Sequence, residues 1–172
     1  MKRKGEKKIT MNTPGFQIKS AIECDVPIIL SFVKKLARYE RLSHEVVATE
    51  ELLHENLFGK RRMAEVAIGY LEAMPVSFVL FFHNYSTFLG KPGLYIEDLF
   101  VDEEYRGRGY GRALLLHVAR LAKERDCGRL EWSVLDWNQP AIDFYMKLGA
   151  LPMSDWTIFR VSGKSLDELA DR

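Results

Sequence analysis

Cysteine is scarce: Cys24 and Cys127 are the only two in 172 residues. Two lone thiols so far apart make no disulfide framework, and they fit a chain kept in a reducing cytoplasm. The four histidines, His44, His54, His83 and His117, are scattered with no H-x-x-x-H or C-x-x-C spacing, so no metal is expected. No apolar run approaches about 18 residues, so no membrane-spanning helix and no membrane partner are expected. A large charge of one sign is also missing. The formal net charge is +1, and the first ten residues hold Lys2, Arg3, Lys4, Lys7 and Lys8 against Glu6, a local +4 that leaves −3 for the remainder. That basic start lacks a following apolar core, so it is not a secretory signal. Residues 1–14 are expected to be a disordered basic leader or an expression remnant, and 15–172 a single domain. No further basic stripe follows, so no nucleic-acid partner is expected.

What is present is an ordinary mix for a packed domain, 47% hydrophobic and 28% charged. Phe16–Ser20 alternates and predicts a first strand. Asp25 is placed to cap a helix in which Ile28, Ile29, Phe32, Val33 and Leu36 recur at helical spacing as far as Tyr39. Thr49 opens a second helix that stops at Gly59. Residues 63–72 and 75–83 predict two strands, with a turn at 91–93 and another strand over 94–101. Leu114, Val118 and Leu121 define the face of a further helix. A strand over 130–135, a short helix over 141–148 closed by Gly149, and a last strand over 156–161 complete the pattern. The order β-α-α-β-β-β-α-β-α-β predicts an α/β fold built on one twisted, mixed sheet with helices on both faces.

Between the strand at 94–101 and the helix after it lies Arg106-Gly107-Arg108-Gly109-Tyr110-Gly111. Strand, glycine-rich turn and helix make an anion cradle: glycines let successive amides turn inward, and the helix start adds a positive dipole end. The spacing G-x-G-x-G is not the dinucleotide fingerprint, and Arg112-Ala113 replaces the Lys-Ser/Thr of a Walker loop. Arg106-x-x-Gly109-x-Gly111 resembles the signature of the GNAT acetyltransferase superfamily. Leu94 through Val101, Ala37-Arg38-Tyr39-Glu40, Trp137 through Tyr145 and Leu148-Gly149-Ala150 narrow the resemblance to its spermidine/spermine group, with the diamine and thialysine acetyltransferases.

That resemblance implies the GNAT fold, acetyl-CoA as cosubstrate and no metal. The implied reaction is transfer of acetyl to a primary amine of a small cationic molecule by direct attack. The cosubstrate would be held by Leu99, Phe100, Val101, Arg106, Gly107, Arg108, Gly109, Tyr110, Gly111, Arg112, Asn138, Pro140, Ala141 and Tyr145. Leu99 and Val101 would act through their backbone, and the Leu99 N–H would receive the developing oxyanion. Glu97 matches the family's general base, and a carboxylate in an apolar strand needs a task or a partner. Tyr145 matches the general acid, with a phenol near the pKa of a departing thiol. Tyr39 and Glu40 match a pair that binds the amine, joined by Glu97 and Asp98. Strand alternation would turn Asp98 away from Glu97, either toward a second active site across a dimer interface or into a structural role. The same resemblance implies a homodimer, with the 156–161 segment helping to build it. Arg41, just past Glu40, favours a small mono- or diamine over a long polyamine. Acetylation of a peptide amine, and a non-catalytic acyl-CoA-binding module, are the alternatives. The second would need neither Glu97 nor Tyr145.

Overall fold

The computed structural model describes residues 15–172, so the expected leader lies outside the described residues. The described chain divides into two compact units, one ending at Ser133 and the other Val134–Arg172. The first carries the whole sheet. Its strands are β1 (Phe16–Ser20), β2 (Glu65–Leu71), β3 (Met74–Ser86), β4 (Lys91–Val101) and β5 (Leu130–Trp132). They lie in the order β1-β2-β3-β4-β5, antiparallel up to β4 and parallel between β4 and β5. Three helices serve this sheet: α1 (Val26–Tyr39), α2 (Glu50–Phe58) and α3 (Tyr110–Glu124).

Alternation decides which strand residues meet which helix. Ile68, Phe78 and Phe100 face α1 and join Ile29, Phe32 and Leu57 in one buried cluster, with Phe32 and Phe78 stacked at 5.3 Å between ring centroids. Leu99 and Val101 face the other way, toward the start of α3. Phe16 of β1 stacks there on Tyr110 at 4.2 Å. The helices therefore cover both faces of a mixed sheet, the architecture expected from the element order.

Several local expectations change. Asp25 does occupy the cap position of α1, but its carboxylate makes no cap hydrogen bond and instead accepts from the Ile22 amide at 2.9 Å and the Tyr70 hydroxyl at 3.3 Å. Thr49 does cap α2, accepting from the Leu52 amide at 3.3 Å. The turn expected at 91–93 lies at 87–90, and Pro92 belongs to β4 opposite Tyr85. β5 is shorter than expected, three residues paired only to Leu94, Tyr95 and Ile96.

The second unit holds α4 (Gln139–Lys147) and a helix not anticipated, α5 (Lys164–Ala170). The strand expected over 156–161 does not form. Its β-branched and aromatic residues fit a pleated, half-covered surface, but Trp156 is 70% and Phe159 90% exposed, and no ladder partner lies beside them among the described residues.

Candidate active site

The centre of the site is an irregularity in β4. Asp98 pairs with Leu80, and Ile96 pairs with Phe81, so Glu97 is one residue too many for the ladder. An inserted residue bends its strand and re-aims the side chains around it. Cross-strand partners share a face. Asp98 therefore sits with Leu80 and Phe100 on the α1 side, while Ile96 sits with Phe81 on the α3 side. The inward face of β4 changes over at Glu97. The charges of its neighbour Glu97 and of Glu40, at the end of α1, both act on Asp98.

Acids whose charges act on one another are costly to ionise together. Asp98 carries that cost. Burial first, then the charge of Glu97, then that of Glu40, push its pKa up to about 7. Burial also raises Glu40. A carboxyl group poised near neutrality suits proton exchange with an ammonium ion, and negative neighbours suit a cation.

Beside the cluster, β4 is unpaired on its β5 side from Glu97 to Val101, because β5 accompanies β4 only as far as Ile96. A strand edge left open in this way can accept an extended, amide-bearing chain as an added strand. Leu99 and Val101 lie on that edge.

The glycine loop follows. Gly107 and Gly109 have φ of 75° and 85°, the left-handed region where other residues are strained, and Gly109 is the residue on which α3 begins. The first amides of any α-helix lack partners inside it, so this end of α3 presents donors to an anion. Gly111 lies in that first turn with its Cα hydrogen above Val101 and Leu99. The loop arginines are engaged elsewhere. Arg106 donates from Nε to the Val101 carbonyl at 3.0 Å, and its guanidinium lies 4.3 Å from the Tyr39 ring centroid and 5.5 Å from that of Phe100. Arg108 covers Tyr105 at 5.3 Å and donates to the Glu104 carbonyl at 3.3 Å. With these two side chains turned onto the chain's own rings, what the loop leaves for an anion is mainly its backbone amides.

Arg106 also ties the loop to Tyr39, a link no sequence spacing signals. Between the last turn of α1 and residues 102–104 lies a cavity of about 340 Å³. Of its lining, only Tyr39 and Phe100 are site residues expected from sequence.

The remaining expected residues belong to the second unit. Asn138 caps α4, accepting from the Ala141 amide at 3.4 Å. Pro140 sits in the first turn, where its missing N–H costs nothing. Tyr145 packs its ring 5.2 Å from that of Phe144, and its carbonyl accepts from the amides of Leu148 and Ala150.

Residues 33–150 match the model of the acetyltransferase (GNAT) family. The chain is 35% identical to the thialysine N-epsilon-acetyltransferase of Bos taurus, covering 90% of this chain and 97% of that protein. It is 34% identical to the L-ornithine N5-acetyltransferase NATA1 of Arabidopsis thaliana, covering 89% and 87%. Among solved structures, an integron cassette protein from V. cholerae superposes with a TM-score of 0.78 at 24% identity, covering 92% of this chain and 99% of that one. An aminoglycoside acetyltransferase from a soil metagenome superposes at 0.75 with 19% identity, covering 89% and 99%; both structures show a common fold.

Proposed function

This chain belongs to the GNAT acetyltransferase family, and from that premise we propose that it moves the acetyl group of acetyl-CoA onto a primary amine of a small cationic molecule by direct attack. The observation that carries this reading is the Glu40–Glu97–Asp98 cluster beside the open edge of β4. Relatives named for thialysine, ornithine and spermidine/spermine support an amine acceptor.

In the proposed step the amine nitrogen forms a bond to the acetyl carbonyl carbon, and the thioester C–S bond breaks. The proton lost by the ammonium passes to the Glu97–Asp98 pair, with Asp98 the member poised near neutrality. The Leu99 amide donates to the developing oxyanion, which a preorganised dipole stabilises more than the ground state. Tyr145 donates its phenolic proton to the departing thiolate and Asn138 bonds a pantetheine amide, roles carried over from the family resemblance. Phe100, Tyr110, Pro140 and Ala141 shape the cosubstrate's surroundings. The loop 106–112 receives the pyrophosphate, mainly through amides. Tyr39 and Glu40 hold the amine.

The loop has a clean test. A Cβ on Gly111 would meet Val101 and Leu99 at 3.5 and 3.7 Å, ordinary contact distances. Alanine there is tolerated by the protein, and it favours the helix over glycine by about 0.5–1 kcal/mol. Gly111→Ala therefore serves as the folded control, while the bulkier Gly111→Leu is expected to lose much of the thermal shift that acetyl-CoA confers by linkage. A wild-type shift in this variant would remove the loop from the cosubstrate site.

We also propose that two copies pair. The apolar 156–161 segment, with Ile158 75% and Phe159 90% exposed, leaves an apolar surface that a second copy would cover. Light scattering is expected to give twice the monomer mass, and a monomer at micromolar concentration would refute the pairing.

A further inference from the structure

A second cavity, of about 160 Å³, opens where β2 begins, between the end of α2, the sheet and the later turns of α3. It is remote from the glycine loop: Gly109 and Leu121, which lines the cavity, lie about 18 Å apart along α3. None of its lining residues belongs to the amine or acetyl-CoA sites proposed above, so its ligand chemistry is independent of acetyl transfer. Its walls are apolar. Leu57 and Phe58 come from α2, Val66 and Ala67 from β2, Phe81 from β3 and Leu121 from α3. Leu57, Val66, Ala67 and Phe81 are buried.

The polar part of the lining carries an unbalanced charge. Arg62 and Glu65 are exposed, and His117 and Arg125 are half-buried. Arg125 holds Glu65 through both terminal guanidinium nitrogens, at 2.5 and 2.8 Å, so this pair is already satisfied. Arg62 and the His117 ring make no hydrogen bond and no ion pair among the described residues. Burial, then the charge of Arg120, lower the His117 pKa, with Glu124 opposing and Arg125 adding. The ring is therefore neutral at pH 7 and still offers one N–H donor. One free guanidinium and one free imidazole thus stand beside an apolar hole. A cation would meet Arg62 and a Glu65 already engaged. A neutral hydrocarbon would leave both donors unused, and a bare inorganic anion would leave the walls uncovered. A carboxylate with a hydrocarbon body uses both. The volume is about half the lower end of the roughly 300–1,000 Å³ that drug-sized ligands occupy, which limits that body to a short chain or a single ring.

We propose that this cavity is a binding site for a small apolar monocarboxylate, a short acyl or aryl acid, with Arg62 and His117 on its carboxylate and its hydrocarbon against Ala67, Phe81 and Leu121. Arg62 supplies the planar, bidentate donor that a carboxylate matches. His117 donates its N–H, and an anion beside it favours the imidazolium form. The other charges around the ring are balanced: Arg120 with Glu124 on α3, and Arg125 with Glu65 of β2, on which His83 of β3 also acts. The arriving carboxylate is the charge that shifts the ring.

Hexanoate is the probe, titrated calorimetrically into the full chain, with acetate and 1-hexanol as controls that keep only the charge or only the chain. Hexanoate is expected to bind at least about 10-fold more tightly than either. Arg62 is exposed, so its replacement leaves the core intact. Arg62→Gln should weaken hexanoate by about 10- to 100-fold, the share of a charge-assisted carboxylate contact. In histidine-ring NMR spectra the His117 pKa should rise when hexanoate is bound, and hexanoate should bind more tightly at pH 6 than at pH 8. No binding of hexanoate at millimolar concentration, unchanged affinity in Arg62→Gln, or a His117 ring that does not respond would each overturn the site. Acetate or 1-hexanol binding as tightly as hexanoate would overturn the ligand class. None of these outcomes bears on amine acetylation, which is measured separately by thiol release.

Discussion

Asp98→Asn is expected to lower kcat by about 10²- to 10³-fold, the usual share of a positioned general base, and to abolish the acid limb of the pH–rate profile. The limb arises because Asp98 titrates near 7, so wild-type turnover should rise as pH climbs through neutrality and the carboxylate forms. Glu97→Gln separates the two acids. If Glu97 itself accepted the proton, this variant would lose the limb. With Asp98 as the acceptor, removing the neighbouring charge that raises its pKa should move the limb toward lower pH instead. The same Asp98 predicts a stability signature. Its folded pKa lies above its ordinary value of 3.8, so between pH 4 and 7 the folded state holds a proton that the unfolded state has released. Stability therefore falls as pH rises through that window, by an amount of order 4 kcal/mol if this group acts alone. Asp98→Asn should flatten that fall in denaturant titrations at pH 4.5 and 7.5. A parallel pH dependence in parent and variant would mean that Asp98 is not the group under strain.

Tyr145→Phe is expected to lower kcat by about 10²-fold at pH 7 with little change in acetyl-CoA affinity, because a phenyl ring keeps the packing against Phe144 and removes only the proton donor. Solvent pH should matter less in this variant above neutrality. Replacing acetyl-CoA by an acetyl thioester with a more acidic leaving thiol should recover part of the lost rate, since a better leaving group needs less help. Equal turnover in parent and variant would leave the thiolate to take its proton from solvent.

Much of the frame is legible in the sequence because it rests on local signals. The 3.6-residue spacing of Ile29, Phe32, Val33 and Leu36 gives α1, and Thr49 marks the start of α2. The glycine spacing locates the loop before α3, where Gly107 and Gly109 take the left-handed conformation. Tyr39, Glu40, Glu97 and Asp98 each stand out in the sequence, but not the way three of them meet. The extra residue at Glu97, next to Asp98, is hidden as well, because a bulge is a property of two strands in register, invisible in one. The segment 156–161 fails in the opposite direction. Its composition suits a strand, yet strand propensity expresses the surface a residue packs against, and the described chain supplies none there. Lys35 and residues 102–104 carry no motif of their own; they become neighbours of one cavity only when α1 packs on the end of β4.

The central claim, acetyl transfer from acetyl-CoA to a small amine at the β4 carboxylates, is tested most directly by release of free CoA thiol. Purified protein, acetyl-CoA and a panel of lysine, ornithine, cadaverine, putrescine and a neutral aromatic amine are sufficient, with the acetylated product identified by mass. Steady, amine-dependent thiol release is predicted, fastest with the cationic acceptors and suppressed in Asp98→Asn. Thiol release that is independent of added amine, or equal for the neutral and cationic amines, would contradict it.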